Sequence, residues 1–416
     1  MVPSPILKAK SLPTWIVVTG NVRSGREFQG MFRKALDLQK RGLADGILFA
    51  TWKEELRLHP GLQRALAGLG ICVVAVDPPP RIPQIHPLFH SYVFHQRKSL
   101  LAALRALPEN CLVLKTRTDL SEERFDALTQ ALFAEPRPSL DVTLCSPVLQ
   151  TRLFTFDART DYLFYWDDIV FSGLRDDLLH LVNFEVSFEV LYSSHIFSAE
   201  MRLYAPIFLQ HYPILAWFFE SIPGEQFGCV LQRWAADANQ PALPELARSI
   251  LSAYFHILSR YVILPAPIPA PGQPLQLRDF FTDNAARGLR SFPTPWPSHK
   301  LHTQSLLDQL RRGENLAGEE IVSLHAKLEE MDRDVQTREN MPQDMDRATA
   351  ELVAFAESYG ISLSPVTNDY YEGKPIETAI SLETLPLPEK RFPPWWEQKT
   401  LGARKKAAHW MLEKIL

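Results

Sequence analysis

The sequence predicts an α/β fold: a mostly parallel, Rossmann-type sheet with helices on both faces, followed by a mainly helical C-terminal extension. Two observations carry this prediction. The first half of the chain alternates short apolar runs, rich in β-branched residues, with longer segments whose apolar residues recur at helical spacing. From about residue 265 onward, proline-rich and irregular segments replace that rhythm.

Each predicted element follows from its local pattern. Strands are expected over 14–20, 46–51, 71–76, 111–116 and 141–146. Helices are expected over 27–42, 59–70, 91–107, 121–134 and 198–212. One more short strand is expected after Asp168, followed by Gly173 and a helix. A chain that alternates in this way forms parallel strands joined by crossover helices.

The length of 416 residues exceeds what one ordinary core holds, so we expect two regions. Residues 12–215 are predicted to contain the sheet. Residues 216–416 are predicted to be mainly helical, with proline-rich straps over 265–299 and a final amphipathic helix over 401–416.

Composition excludes several classes of protein. With 46% apolar and 22% charged residues the chain is globular, and a net charge of −4 argues against a nucleic-acid partner. Four cysteines occur without a CxxC pair, which favours reduced, structural thiols over disulfides or a zinc site.

Localisation is predicted from what the sequence lacks. The N-terminus has no apolar signal-peptide core, and no apolar run approaches the ~18 residues that span a bilayer. We therefore expect a cytoplasmic protein. Residues 401–416 combine basic and apolar positions, so this helix either contacts the inner face of a membrane or docks on its own domain.

Polar residues follow four of the predicted strands. Because parallel sheets bind ligands at the carboxyl ends of their strands, these residues are candidates for one site. They are Thr19, Gly20 and Asn21 after the first strand, Thr51 and Trp52 after the second, Asp77 after the third, and Lys115, Arg117 and Asp119 after the fourth.

The stretch KTRTD, residues 115–119, has three interpretations. Asp119 could hold Mn²⁺ or Mg²⁺ against a diphosphate, although metal sites of this kind normally use two acids and Arg117 occupies the first position. Lys115 and Arg117 could instead bind the diphosphate directly, because guanidinium matches phosphate geometry. Alternatively, Asp119 only caps the next helix.

Four further residues are candidates. Asp167 and Asp168 precede a short strand, so one of them could act as a general base, or both could belong to a solvated turn. Arg97 near a helix start would favour an anionic ligand or lie in an ordinary basic turn. Glu200 falls in a first helical turn, where the helix dipole alone explains an acid.

The order of these motifs resembles the WavE lipopolysaccharide-synthesis family over about residues 14–212. Thr51-Trp52 and Lys115-x-Arg117-x-Asp119 are its most specific matches. The full series is WIVVTGNV, ILFATW, VVAVDPP, HQRKSLLAAL, LVLKTRTDL, DDIVFSGLRDDLLHL and SAEMRLYAPIFL. His95-Gln96-Arg97 reverses the Arg-Gln order usual in the family, and Ser172 intervenes before Gly173.

This resemblance implies a GT-A-like glycosyltransferase that moves a sugar from a nucleotide-sugar donor to a saccharide or lipid-linked acceptor. By position, Asp119 corresponds to the acid of the family turn. Asp168 or Asp167 corresponds to the acid before the Phe-x-Gly segment, and Glu200 to a late glutamate. Metal dependence stays open. The alternative is a non-catalytic nucleotide- or sugar-binding component of a polysaccharide assembly complex.

Overall fold

The computed structural model describes most of the chain in seven stretches. These are residues 12–77, 92–120, 148–183, 199–264, 272–282, 304–334 and 341–363, with the short pieces 125–126, 129–130, 132–133, 300–301 and 337. The strand expected over 141–146, most of the helix expected over 121–134, the helix over 401–416 and most of the straps lie outside the described residues.

The N-terminal stretch confirms the predicted alternation. Its elements are β1 (Thr14–Thr19), α1 (Gly25–Lys40), β2 (Gly46–Trp52), α2 (Lys53–Leu58), α3 (Leu62–Gly68), β3 (Ile71–Val76), α4 (Tyr92–Ala106) and β4 (Leu112–Arg117). Helix α2 was not expected from the sequence, because its six residues contain four charged side chains and little apolar pattern.

Both faces of the sheet are buried, as parallel sheets require. In β1, Ile16 and Val18 belong to one hydrophobic core, whereas Val17 between them belongs to the other. Helix α1 covers the first of these cores with Phe28 and Phe32. The apolar runs are therefore continuous because alternate side chains enter different cores.

The main sheet has seven strands in the order β3-β2-β1-β4-β7-β5-β8. Strands β5 (Leu153–Thr155), β7 (Phe171–Leu174) and β8 (Val262–Ile263) complete it. Strands β3, β2, β1 and β4 are mutually parallel, and β7 runs antiparallel to its neighbours β4 and β5. The α/β class with a mostly parallel sheet is thus confirmed. A second, two-stranded sheet pairs β6 (Ala158–Arg159) with β9 (Lys300–Leu301).

The remaining described elements are mainly helical, as expected. They are α5 (Arg175–Asn183), α6 (Ala199–Leu209), α7 (Pro213–Ser221), α8 (Gly224–Ala236), α9 (Glu245–Tyr261), a 3₁₀ helix (Leu277–Phe280), α10 (Ser305–Arg312), α11 (Glu319–Arg333) and α12 (Met345–Ser358). Because α9 shares a hydrophobic core with α4, and β8 pairs with β5, the division predicted at residue 215 runs through a common core.

Two sequence expectations have structural counterparts here. Cys72 and Cys111 are buried and unpaired, and burial raises the pKa of the Cys72 thiol to about 12. Cys145 lies outside the described residues. In the part of the chain that the structure describes, every helix is too short or too polar to cross a membrane.

Candidate functional site

The candidate site lies where the chain reverses its direction of travel across the sheet. From β1 the chain proceeds outward through β2 to β3, and then returns to place β4 on the other side of β1. The carboxyl ends of β1 and β4 meet at Thr19 and Arg117. Such a switch point is where open parallel sheets bind ligands. We call the edge at which β1 to β4 end the carboxyl rim.

The turns after β1 and β4 are joined by hydrogen bonds. The Thr118 backbone N–H donates to the Thr19 carbonyl at 3.2 Å, and the Thr118 hydroxyl donates to the Asn21 carbonyl at 2.6 Å. Gly20 adopts a φ of 121°, and a Cβ added there would lie 2.9 Å from Thr118 Oγ1. Glycine is therefore required at residue 20 by both conformation and space.

Two predicted donor-binding hydroxyls brace this turn and do not face a ligand. Thr19 donates to the Thr116 carbonyl at 3.3 Å, and Thr51 donates to the Gly20 carbonyl at 2.9 Å. Both side chains are buried. Asn21, by contrast, is exposed at the rim.

Asp119 is held between two arginines. Arg117 donates through Nε to Oδ1 at 2.9 Å and through Nη2 to Oδ2 at 2.8 Å, and Arg23 donates through Nη1 to Oδ2 at 2.8 Å. Burial alone would raise the pKa of Asp119, but the hydrogen bonds and charge of Arg117, with the charge of Arg23, lower it. Asp119 is therefore an ionised partner for two cations.

This arrangement does not fit Mn²⁺ or Mg²⁺ at Asp119. Both carboxylate oxygens already accept hydrogen bonds from guanidinium groups, whose positive charge repels a cation. Nor do the described residues contain a group of three His, Cys, Asp or Glu side chains that could hold a metal.

Lys115 lies beneath the rim and cannot reach a diphosphate. Its side chain is completely buried, its Nζ donates to the backbone carbonyl of Asp168, and it lies 5.1 Å from the centre of the Phe171 ring. Burial lowers its pKa to about 8, although the charge of Asp168 opposes that shift. Lys115 instead positions the backbone at Asp168.

The antiparallel strand β7 brings Asp167 and Asp168 to the same rim. Because Lys115 pairs with Phe171, residues just before β7 lie at the carboxyl end of β4. Asp167 stabilises its own turn, since its Oδ1 accepts from the Ile169 N–H at 2.8 Å. The charges of Asp167 and Asp168 both act on Arg117, which places all three in one electrostatic neighbourhood.

Asp168 is better placed than Asp167 for acid–base chemistry. Its Oδ2 accepts from Gln96 Nε2 at 2.9 Å, and its backbone carbonyl accepts from the same Nε2 at 3.0 Å. Among the described residues, no donor binds its Oδ1. Gln96 of α4 was not predicted from the sequence, because a single amide in a helix carries no local signal of its partner.

The prediction for Arg97 is corrected by the structure. Arg97 lies in the second turn of α4, is fully buried and donates to the carbonyls of Leu181 and Val182 near the end of α5. Burial lowers its pKa to about 10. It stabilises a helix C-terminus and does not face the rim. Glu200 lies in the first turn of α6, and its side chain lies outside what the structure describes.

The outer part of the rim carries Asp77 and Trp52. Asp77 forms an exposed ion pair with Lys53, with Oδ2 and Nζ 2.6 Å apart, and this hydrogen bond lowers the pKa of Asp77. The Trp52 ring packs edge-on against His95, with ring centres 5.2 Å apart. An acid and an aromatic side chain thus lie at the same edge as the switch point, at the ends of β3 and β2.

Glu55 and Arg23 also belong to the site, although the sequence analysis did not select them. The buried Glu55 accepts from the Val22 N–H through Oε1 at 2.8 Å, so it holds the loop that carries Arg23. Glu55 is one of two acids in the first turn of α2, where the helix dipole alone explains an acid. No local pattern predicts a contact between Arg23 and a residue 96 positions away.

The chain was compared with known proteins in three ways. No model of a protein family matches it, no curated protein matches it, and no solved structure matches it. The functional interpretation therefore depends on the geometry of the rim and on the motif resemblance.

Proposed function

We propose that this chain is a glycosyltransferase of GT-A-like architecture. It would transfer a sugar from a nucleotide-activated donor to a bacterial surface polysaccharide or lipopolysaccharide acceptor. One observation carries the proposal: Arg23 and Arg117 meet at Asp119 beside the switch point of a parallel sheet, and the register of β4 with β7 brings Asp168 to the same edge. Sugar transfer needs cationic groups that stabilise the departing diphosphate. It also needs a carboxylate that accepts the proton of the acceptor hydroxyl.

The resemblance to the WavE family supports the same assignment. Its most specific motifs, Thr51-Trp52 and Lys115-x-Arg117-x-Asp119, lie at the carboxyl ends of β2 and β4, the two strands that flank β1. The acid before the Phe-x-Gly segment, Asp168, reaches the same edge through β7. The motifs are far apart in the chain, and the fold brings them to one edge.

The proposed reaction is a displacement at the sugar. The acceptor oxygen forms a bond to the anomeric carbon while the bond from that carbon to the diphosphate oxygen breaks. Asp168 takes the proton of the acceptor hydroxyl, and Lys115 and Gln96 hold the Asp168 backbone in place. The arginines stabilise the charge on the departing diphosphate. If configuration is retained, the role of Asp168 changes.

A second candidate function is a non-catalytic nucleotide- or sugar-binding component of a polysaccharide assembly complex. The arginine-paired Asp119 favours it, since a cation that activates the leaving group does not fit there. Such a protein would bind the donor at the rim without turning it over.

Donor hydrolysis by the purified full chain separates the two functions. A panel of nucleotide sugars is incubated with Mn²⁺ or with EDTA, and release of nucleoside diphosphate is measured. For an enzyme, Asp168→Asn should lower turnover by roughly 100-fold, the typical contribution of a general base, with an unchanged melting temperature.

Asp176→Asn is the matched control. Asp176 is an exposed acid paired with Arg175 beyond the end of β7, at the opposite edge of the sheet. Its replacement should leave turnover unchanged. Binding without turnover of any donor favours the second function, and a chain that neither binds nor turns over any donor contradicts both.

A further inference from the structure

We propose that Arg23 and Arg117 form a clamp for the diphosphate of the donor, and that Asp119 is the internal anion that occupies this clamp until the ligand displaces it. The inference deepens the proposed function, because it depends on that function for the identity of the ligand. It assigns Arg23, a residue outside every motif considered above, to the binding site.

The hydrogen bonds leave much of the clamp unused. A guanidinium has five N–H donors. Arg117 uses two of them on Asp119, and Arg23 uses one. The other N–H groups have no acceptor among the described residues. A diphosphate offers more acceptor oxygens than one carboxylate, so it can bind donors that Asp119 leaves unused.

Exposure distinguishes the arginines from the acid. The side chain of Arg23 is 61% exposed and that of Arg117 is 29% exposed, whereas that of Asp119 is 18% exposed. An anion arriving from solvent therefore meets the arginines first. Since they provide two positive charges against the one negative charge of Asp119, a diphosphate is electrostatically favoured at this position.

The backbone around Arg23 is held in place. The Val22 N–H is bound by Glu55, and the Asn21 carbonyl is bound by Thr118. Ser24, the residue after Arg23, caps α1 by accepting from the Glu27 N–H, so the sixteen-residue helix starts at Gly25 and directs its positive end toward the rim. The Arg23 side chain can change partner while its loop stays fixed.

The clamp and a metal site make opposite predictions for Asp119. If Asp119 competes with the diphosphate for the arginines, removing its charge strengthens diphosphate binding. If Asp119 holds a divalent cation, removing its charge weakens that binding, and EDTA abolishes it.

Calorimetric titration of the full chain with inorganic pyrophosphate in EDTA tests the inference. The wild type should bind pyrophosphate without a divalent cation. Arg23→Gln should weaken binding by roughly tenfold or more, as expected for a lost charge-assisted hydrogen bond. Asp119→Asn should strengthen it by about threefold to tenfold.

Arg41→Gln is the matched control, since Arg41 follows α1 at the opposite edge of the sheet and pairs only loosely with Asp37 at 3.4 Å. It removes the same charge and should leave binding unchanged. If Asp119→Asn fails to fold, the wild type in EDTA and Arg23→Gln decide the outcome. Binding that requires Mg²⁺ or Mn²⁺, equal losses in the Arg23 and Arg41 variants, or the absence of binding each overturns the inference.

This experiment separates failure of the clamp from failure of the enzyme. Pyrophosphate binding with the expected order of variants, but without donor turnover, keeps the clamp and removes the catalytic function. Turnover that depends on Asp168 but is indifferent to Arg23 keeps the enzyme and removes the clamp.

Discussion

Two clusters in this molecule hold a carboxylate between two basic side chains, and they differ in which member reaches solvent. At the carboxyl rim, Asp119 is the most buried member, and its partners Arg117 and Arg23 are the more exposed ones. The positive groups are therefore accessible to a ligand.

In the cluster between α9 and α11, the order of exposure is reversed, and the carboxylate is the most exposed member. Asp332 of α11 is 29% exposed, whereas its partners on α9, Arg260 and His256, are 4% and 1% exposed. His256 Nε2 lies 3.0 Å from Asp332 Oδ1, and His256 Nδ1 lies 2.9 Å from the Tyr212 hydroxyl. The basic side chains here are enclosed by protein.

The role of the carboxylate in an ion cluster therefore depends on which members of the cluster are exposed to solvent. Removing a carboxylate that neutralises a buried cation destabilises the fold, because that cation cannot turn to water. A carboxylate that holds exposed cations contributes little stability and leaves them available for another anion.

The largest expected effect is on stability at Asp332. Asp332→Ala removes the carboxylate from the buried Arg260 and should lower the free energy of unfolding by about 2–4 kcal/mol. Asp119→Ala removes it from exposed arginines and should cost no more than about 1 kcal/mol. Urea unfolding of both variants measures the difference, and equal losses would refute the distinction between the clusters.

A smaller effect on stability tests how closely the turns after β1 and β4 pack together. Gly20→Ala combines an unfavourable φ of 121° with a 2.9 Å approach to Thr118 Oγ1, and should cost about 2–3 kcal/mol. Gly42→Ala is the control, because Gly42 has a φ of 74° but nothing within 4 Å, so it should cost about 1 kcal/mol. Thermal unfolding followed by circular dichroism compares them. Similar costs would mean that the turns after β1 and β4 can separate easily.

The smallest effect concerns Lys115. It lies beneath the rim, and its side chain is buried, as are those of Arg260 and His256 on α9. Burial lowers its pKa from 10.5 to about 8, so between those values the unfolded chain binds the extra proton and stability rises with pH. The penalty for burying its charge is full below about pH 8 and absent above about pH 10.5.

Lys115→Met lacks this titration and serves as the reference. The free energy of unfolding of the wild type, relative to that of this variant, should increase by about 1–2 kcal/mol between pH 8 and 9.5. Urea unfolding across this range measures it. A constant difference between the two proteins would show that Lys115 titrates at its ordinary pKa.

Much of the fold and part of the site could be predicted from the sequence. Strands β1 to β4 were predicted because continuous apolar runs such as Ile16 to Val18 are needed when both faces of a sheet are buried. The polar residues at strand ends were predicted to share one edge because parallel strands end together. Asp119 was placed in the candidate site by this reasoning, whereas Asp168 was a candidate because two adjacent acids precede a short strand.

Local periodicity and chain order thus determined the secondary structure, the mostly parallel sheet and the edge that carries polar groups. Only the tertiary structure decided what each polar group contacts. Arg97 binds the end of α5, Lys115 binds the Asp168 carbonyl, and Arg23 reaches Asp119 across 96 positions. The reason is physical: a helix or strand depends on neighbours in sequence, whereas the partner and exposure of a charge depend on elements that folding brings together.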